Sequence, residues 1–238
     1  MELNQRIEQA RRRIAEAARR AGRDPAEITL CAATKLQTDD TIRAAIAGGI
    51  LVCGENREQE LTAHLQADAY AGAEQVHFIG HLQTNKVGRV VGRVDLIQSV
   101  DSHRLLLAIQ KQAEKLGVVQ DILLQVNIGG EESKGGVSPE GLEELTRQAA
   151  QLPNVRLRGL MCIPPVADDP EEVTHYFVAM RQLFVDTKEK IADNKNDMDC
   201  LSMGMSRDFE QAIACGATLV RLGTTLFGPR PTGEIPKK

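Results

Sequence analysis

The chain has 238 residues, of which 42% are hydrophobic and 26% charged, the balance of a protein with a real core and not of a disordered one. Lys and Arg number 29 against 33 Asp and Glu, a net charge of −4, so no basic excess exists to hold nucleic acid or an acidic membrane surface. Aromatic residues make up 3% and Trp is absent, which removes the stacking platforms of single-strand binders and leaves an aliphatic core.

The opening MELNQRIEQARRRIAEAARRAGRD is charged throughout where a signal peptide needs an apolar stretch, and no later segment reaches about 18 apolar residues. A cytoplasmic protein is expected. Leu3, Ile7, Ala10, Ile14 and Ala17 recur at helical spacing and predict one helix over residues 1–22, ending at Gly22 before Asp24-Pro25. Eight short aliphatic runs then follow in order: ITLCAATK, LVCGEN, VHFIGH, VDLIQSV, ILLQVNI, RLRGLMCI, CLSMGM and LVRLGT. Between them DTIRAAIAGG, DSHRLLLAIQKQAEKLG, SPEGLEELTRQAAQL, PEEVTHYFVAMRQLFVDTKEK and SRDFEQAIACG predict helices, with Asp39, Ser102, Ser138 and Ser206 as N-caps. Gly129-Gly130 with Lys134-Gly135-Gly136 reads as one flexible loop after the fifth strand.

The strands are nearly continuous apolar runs, as parallel strands covered on both sides are. Eight βα units without a compositional break predict a single closed (β/α)8 barrel over residues 28–228, with an extra N-terminal helix and a tail at 229–238. The rival is an open doubly wound sheet, but AATKLQTDD stands where its G-x-G-x-x-G would follow the first strand. Five cysteines, an odd number with no Cys-x-x-Cys pair, argue against both a disulfide framework and a thiolate zinc site. Cys31, Cys53, Cys162 and Cys200 read as small core residues within strands.

In such barrels functional groups sit at the C-terminal ends of the strands. There the sequence places Thr34-Lys35, Glu55-Asn56-Arg57, His81, Asp101-Ser102, Asn127, Met205-Ser206, Arg221 and Gly223-Thr224. Lys35, at the inner end of an apolar strand and near Arg221, is a candidate amine nucleophile whose pKa desolvation and the neighbouring cation would lower; the alternative is a lysine snorkelling to the rim. Ser206 and Gly223-Thr224 lie in the two loops that usually bind phosphate, although an N-cap or a turn glycine accounts for either one alone. An amine with a phosphate cradle suggests a phosphorylated carbonyl compound, either a sugar phosphate or pyridoxal 5′-phosphate (PLP). Glu55 could act as an acid or base near the mouth, or pair with Arg57. His77 and His81 point apart in a strand-to-loop transition, so no metal site is expected. His64, His103 and His175, in helical patterns, read as surface or core-edge residues.

These residues resemble the pyridoxal phosphate homeostasis proteins, the YggS and PROSC type. The likeness rests on Thr34-Lys35, GENREQE at 54–60, HFIGHLQTNK at 77–86, SVDS at 99–102, QVNI at 125–128 with KGG at 134–136, RGLMCIPP at 158–165, SMGMSRDFEQAI at 202–213 and VRLGTTLFGPR at 220–230. It covers essentially the whole chain. The resemblance implies a barrel related to the N-terminal domain of alanine racemase, with PLP held as a Schiff base on Lys35. It further implies that Ser206 and the amides of Gly223 and Thr224 hold the phosphate, that Arg221 faces the pyridine nitrogen and that Asn56 lies near the ring, with Ser202 and Met203 as less certain neighbours.

An arginine against the ring nitrogen disfavours the pyridinium and mutes the electron sink. The related racemases take a second base, a tyrosine, from a C-terminal domain, whereas only PRPTGEIPKK follows the eighth strand and Tyr70 and Tyr176 lie in helical stretches. The reading is therefore a monomeric, non-enzymatic PLP carrier in transient contact with PLP-dependent apoenzymes. The alternatives are a fold-type III enzyme such as a weak amino-acid racemase, or a class I aldolase acting on a sugar phosphate through Lys35.

Overall fold

The computed structural model describes residues 2–131, 135–166, 170–191 and 196–229; Lys134 of the glycine loop, Arg230 and the rest of the tail lie outside the described residues. The eight strands β1 (Thr29–Ala33), β2 (Val52–Glu55), β3 (Gln75–Phe78), β4 (Leu96–Val100), β5 (Gln120–Val126), β6 (Val155–Cys162), β7 (Cys200–Ser202) and β8 (Leu219–Leu222) form one closed barrel in chain order. All pairings are parallel, and β8 closes on β1 with Cys31 opposite Arg221. The (β/α)8 barrel is thus the fold, and the open sheet is excluded.

An amphipathic helix, α1 (Leu3–Arg20), precedes the barrel, as the spacing predicts. Its Ile7, Ala10, Ile14, Ala17 and Ala18 are buried, and each fully buried isoleucine contributes about 1.5–3 kcal/mol of transfer free energy. On its other face Arg13 pairs with Glu210 at 3.1 Å. The crossover helices are α2 (Asp39–Ala47), α3 (Glu58–Gln66), α4 (His103–Leu116), α5 (Leu142–Gln151), α6 (Pro170–Lys190), α7 (Phe209–Ala214) and the short α8 (Thr224–Phe227). Helix α3 lies in a stretch that the hydrophobic spacing does not single out, and between β3 and β4 the chain forms a 3-10 run, Thr84–Arg89.

Two expected caps are displaced. Thr38, one residue before Asp39, caps α2 by accepting from the Thr41 N–H, while Asp39 turns its carboxylate to His64 at 2.6 Å. Ser206 does not cap α7, which begins three residues later at Phe209. Ser102 caps α4 as expected, and Ser138 caps a 3-10 turn, Pro139–Gly141, that leads into α5.

Strand alternation sends one set of side chains into the barrel and the next outward against the helices. Cys31, Ala33, Val52, Ile79 and Leu219 pack together inside, as do Leu96, Leu123 and Met161. Ala32, Cys53, Phe78, Ile97 and Val220 join the larger core between barrel and helices. The five cysteines are free, and burial pushes the Cys53, Cys162 and Cys200 thiols up to about 12, so they are apolar fillers and not nucleophiles. None of the described helices is long and apolar enough to cross a membrane.

Candidate functional site

Lys35 follows β1, whose Cys31 and Ala33 face the barrel interior. β1 proper stops at Ala33, two residues short of the expected run, and Lys35 lies half-buried in the turn that follows. Ala33 pairs with Gly54, so Lys35 and Asn56 each follow by two residues a pair at the C-terminal ends of β1 and β2. The Asn56 Oδ1 is buried and has no hydrogen-bond partner, a group that water or a ligand must satisfy. Gly80 lets β3 pass this point closely: a Cβ there would stand 2.1 Å from the Asn56 carbonyl oxygen.

On the other side of β1 lies β8, with Arg221 pointing inward. Its guanidinium is almost fully buried and donates to Ser202 Oγ and, at 2.8 Å, to the Cys162 carbonyl. Burial lowers its pKa, and among the described residues no carboxylate forms an ion pair with it. The Asp208 carboxylate acts on it electrostatically without an ion-pair contact, and a buried cation with no direct ion pair favours an electron-rich partner at the mouth.

Arg221 is the end of a longer chain that the spacing of the sequence does not reveal. Ser202 Oγ donates to Gln98 Oε1 at 2.7 Å, Gln98 Nε2 reaches His77 Nδ1 at 2.9 Å, and His77 Nε2 reaches Gln75 Oε1 at 2.8 Å. With Gln98 donating, His77 carries its proton on Nε2, and every donor in the chain points from the mouth toward the opposite end of the barrel. Burial holds the His77 pKa down to about 4, so the ring is neutral.

The loops after β7 and β8 meet at Ser206. The Gly223 and Thr225 N–H groups donate to Ser206 Oγ at 3.3 and 3.2 Å, and Thr225 Oγ1 reaches the Ser206 carbonyl at 3.5 Å. Ser206 and Gly223 are therefore brought together as expected, but the second converging amide belongs to Thr225, while Thr224 is exposed as the first residue of α8. Asp208 pins the Ser206 loop by accepting from the Met205 N–H at 2.6 Å, and Gly204 turns the chain at φ +90° to enter it. Hydroxyl and amide donors facing one point suit a phosphate oxygen.

Glu55 is not at the mouth. One residue out of phase with Asn56, it points outward and is fully buried, and it does not pair with Arg57, which instead meets Glu60 at 3.4 Å. Its carboxylate accepts from the Asn56 N–H at 2.8 Å, from Thr34 Oγ1 at 3.2 Å and from the Tyr70 hydroxyl at 3.3 Å. Burial raises its pKa, with the Asn56 N–H acting against the shift. Tyr70 is thus not on a helix remote from the strands: it lies in the turn after α3 with its hydroxyl on the outer face of β2. His64, expected at the surface or core edge, is buried between Asp39 and Glu55. Glu55, Glu60 and His64 bring one ligand atom each within 4.8 Å of one another, the kind of grouping a cation can use, but both carboxylates already accept from N–H or O–H donors.

The donors at this mouth suit a phosphorylated compound that offers hydrogen-bond acceptors. The orphaned Asn56 Oδ1 after β2, the buried Arg221 on β8 and the amides gathered at Ser206 after β7 and β8 lie at neighbouring staves of the barrel, around the end of β1. The sequence profile of the alanine racemase N-terminal domain family matches residues 6–231. A pyridoxal phosphate homeostasis protein from Aquifex aeolicus is 46% identical over 97% of this chain and 99% of its own. PipY from Synechococcus elongatus, solved with PLP bound, is 31% identical with a TM-score of 0.82, over 95% of this chain and all of that one. A protein of unknown function from Bifidobacterium adolescentis superimposes with a TM-score of 0.88 at 36% identity, over 94% of both chains. With that extent of identity, the chain belongs to the pyridoxal phosphate homeostasis protein family, built on the alanine racemase N-terminal domain fold.

Proposed function

We propose that this protein binds PLP at the barrel mouth as a Schiff base on Lys35 and acts as a carrier that buffers or delivers the cofactor, without turnover of its own. The observation that supports the reading is that the orphaned Asn56 at the end of β2 and the buried Arg221 of β8 flank β1, the strand that ends just before Lys35, with the Ser206 loop after β7. Ser206 and the Gly223 and Thr224 amides would hold the phosphate, with the Thr225 amide fixing the Ser206 hydroxyl beside them. Arg221 would face the pyridine nitrogen, and Asn56 would lie against the ring.

Bound PLP supplies an electrophilic aldehyde and an electron-withdrawing ring; the residues here orient it and restrain it. Arg221 is the donor in its hydrogen bonds to Ser202 and Cys162 and makes no ion-pair contact with a carboxylate among the described residues, so it would oppose a proton on the ring nitrogen. That weakens the electron sink which amino-acid chemistry would draw on. Nor is a second base placed opposite Lys35 by a tyrosine: the Tyr70 hydroxyl is engaged by Glu55 on the outer side of β2, and Tyr176 lies in α6. These features support a carrier over a racemase. We further propose that the protein works as a cytoplasmic monomer in transient contact with apoenzymes.

Borohydride reduction of the full chain incubated with PLP, followed by peptide mass mapping, tests the reading. A phosphopyridoxyl group on Lys35 is expected. No adduct, or one on another lysine, overturns the site. Racemisation of an amino acid that disappears in Lys35→Ala overturns the carrier assignment.

A further inference from the structure

We infer that Glu55 and Glu60 are positioning residues for Lys35, gripping the residues on either side of it from the outer face of the barrel. The inference rests on the proposed role of Lys35. Glu55 reaches the residue before the lysine, accepting from Thr34 Oγ1 at 3.2 Å, and the same carboxylate takes the Asn56 N–H at 2.8 Å. One side chain thus ties together the two strand ends that carry Lys35 and Asn56. Glu60, from the first turn of α3, reaches the residue after the lysine, accepting the Leu36 N–H at 2.8 Å.

Leu36 needs that bond. Its φ of +62° is the left-handed conformation that disfavours a side chain with a Cβ, and at 50% exposure little packing holds it there. The charged acceptor of Glu60 supplies what packing does not. A lysine side chain has many rotamers, so where its amine dwells depends first on the direction of its Cα–Cβ bond, which the backbone on both sides sets. Fixing Thr34 and Leu36 fixes that direction. The remaining members of the cluster brace the acids: Tyr70 donates to Glu55 at 3.3 Å, Arg57 to Glu60 at 3.4 Å, and His64, held by Asp39 at 2.6 Å, stands 3.8 Å from Glu55. The GENREQE segment therefore serves two faces at once, Asn56 toward the mouth and both acids behind it.

The test separates covalent capture from ordinary binding. Calorimetric titration of the full chain with PLP is compared with pyridoxine 5′-phosphate, which has the same ring and phosphate but no aldehyde for an amine to attack. Glu60→Ala, on a half-buried residue, is expected to weaken PLP about tenfold while leaving pyridoxine 5′-phosphate within about twofold. Glu60→Gln, which keeps an acceptor oxygen, is expected to recover most of the loss, and Glu55→Gln to give the same selective pattern as Glu60→Ala. Equal weakening of both ligands would mean the acids support the fold alone and overturns the inference, as does an unchanged PLP affinity in both Glu60→Ala and Glu55→Gln. A wild-type chain that gives no reduced adduct on Lys35 overturns the parent reading along with this one, whereas a wild-type adduct with unchanged variants overturns only the clamp.

Discussion

The strands of this barrel carry polar networks on both faces, and the two differ in kind. Inside, Arg221, Ser202, Gln98 and His77 form a chain with one cation, no carboxylate and every donor aimed away from the mouth. Outside, Glu55, Asp39 and His64 gather carboxylates and an imidazole around the donors of Thr34, Tyr70 and Asn56. The inner network gives its cation no ion-pair contact and is open to a ligand at the mouth; the outer one satisfies the Glu55 carboxylate, leaves His64 Nε2 without a hydrogen bond and braces the backbone. Parallel strands with a two-residue side-chain period make this possible, since neighbours such as Glu55 and Asn56 must face opposite ways.

The largest effect that breaks the comparison is Lys35→Ala, which should abolish the reduced adduct completely while shifting the thermal midpoint by no more than about 2–4 °C, because Lys35 is half-buried in a turn. A wild-type-like adduct would place the chemistry on another lysine. Next is the response to acid, which has opposite signs on the two faces. His77 is held neutral with a pKa of about 4, below its unfolded value of roughly 6.5, so its contribution is full above the unfolded value and is lost as pH falls toward 4. That loss is about 3 kcal/mol, and thermal melts across this window should lose the corresponding slope in His77→Gln. Glu55 is raised instead, so its contribution is present at low pH and is lost as pH rises from the ordinary carboxylate range toward its folded value. In Glu55→Gln that opposing slope should vanish.

Smaller effects sharpen the contrast within the mouth. Arg221→Met removes the inner cation and should weaken PLP about 30-fold and shift the pH titration of its visible absorption; an unchanged titration would make Arg221 purely structural. Ser206→Ala should weaken PLP only about fivefold in the same calorimetric titration, because the Gly223 and Thr224 amides remain.

Much of this was legible in one dimension. The eight apolar runs and the helices between them specify a parallel, doubly covered sheet, and Lys35, Asn56, Ser206, Arg221 and Gly223 fall at strand ends because that is where a run of apolar residues gives way to polar ones. Glu55 shows the limit. Its neighbours in sequence suggest the mouth and Arg57 as a partner, but the pleat turns it outward, and its partners Thr34 and Tyr70 come from another strand and another turn. That the Thr225 amide meets Ser206 was not legible for a similar reason, since amide direction in a four-residue helix is set by the turn and not by residue type.

The sequence by itself determined the order of elements, the apolar interior and the strand ends that bear the site, because these depend on periodicity and on short-range transitions between apolar and polar residues. Only the tertiary structure decided which polar groups meet, as when Gln98 joins Ser202 across 104 positions of chain, because barrel closure and register bring together residues that no local pattern relates.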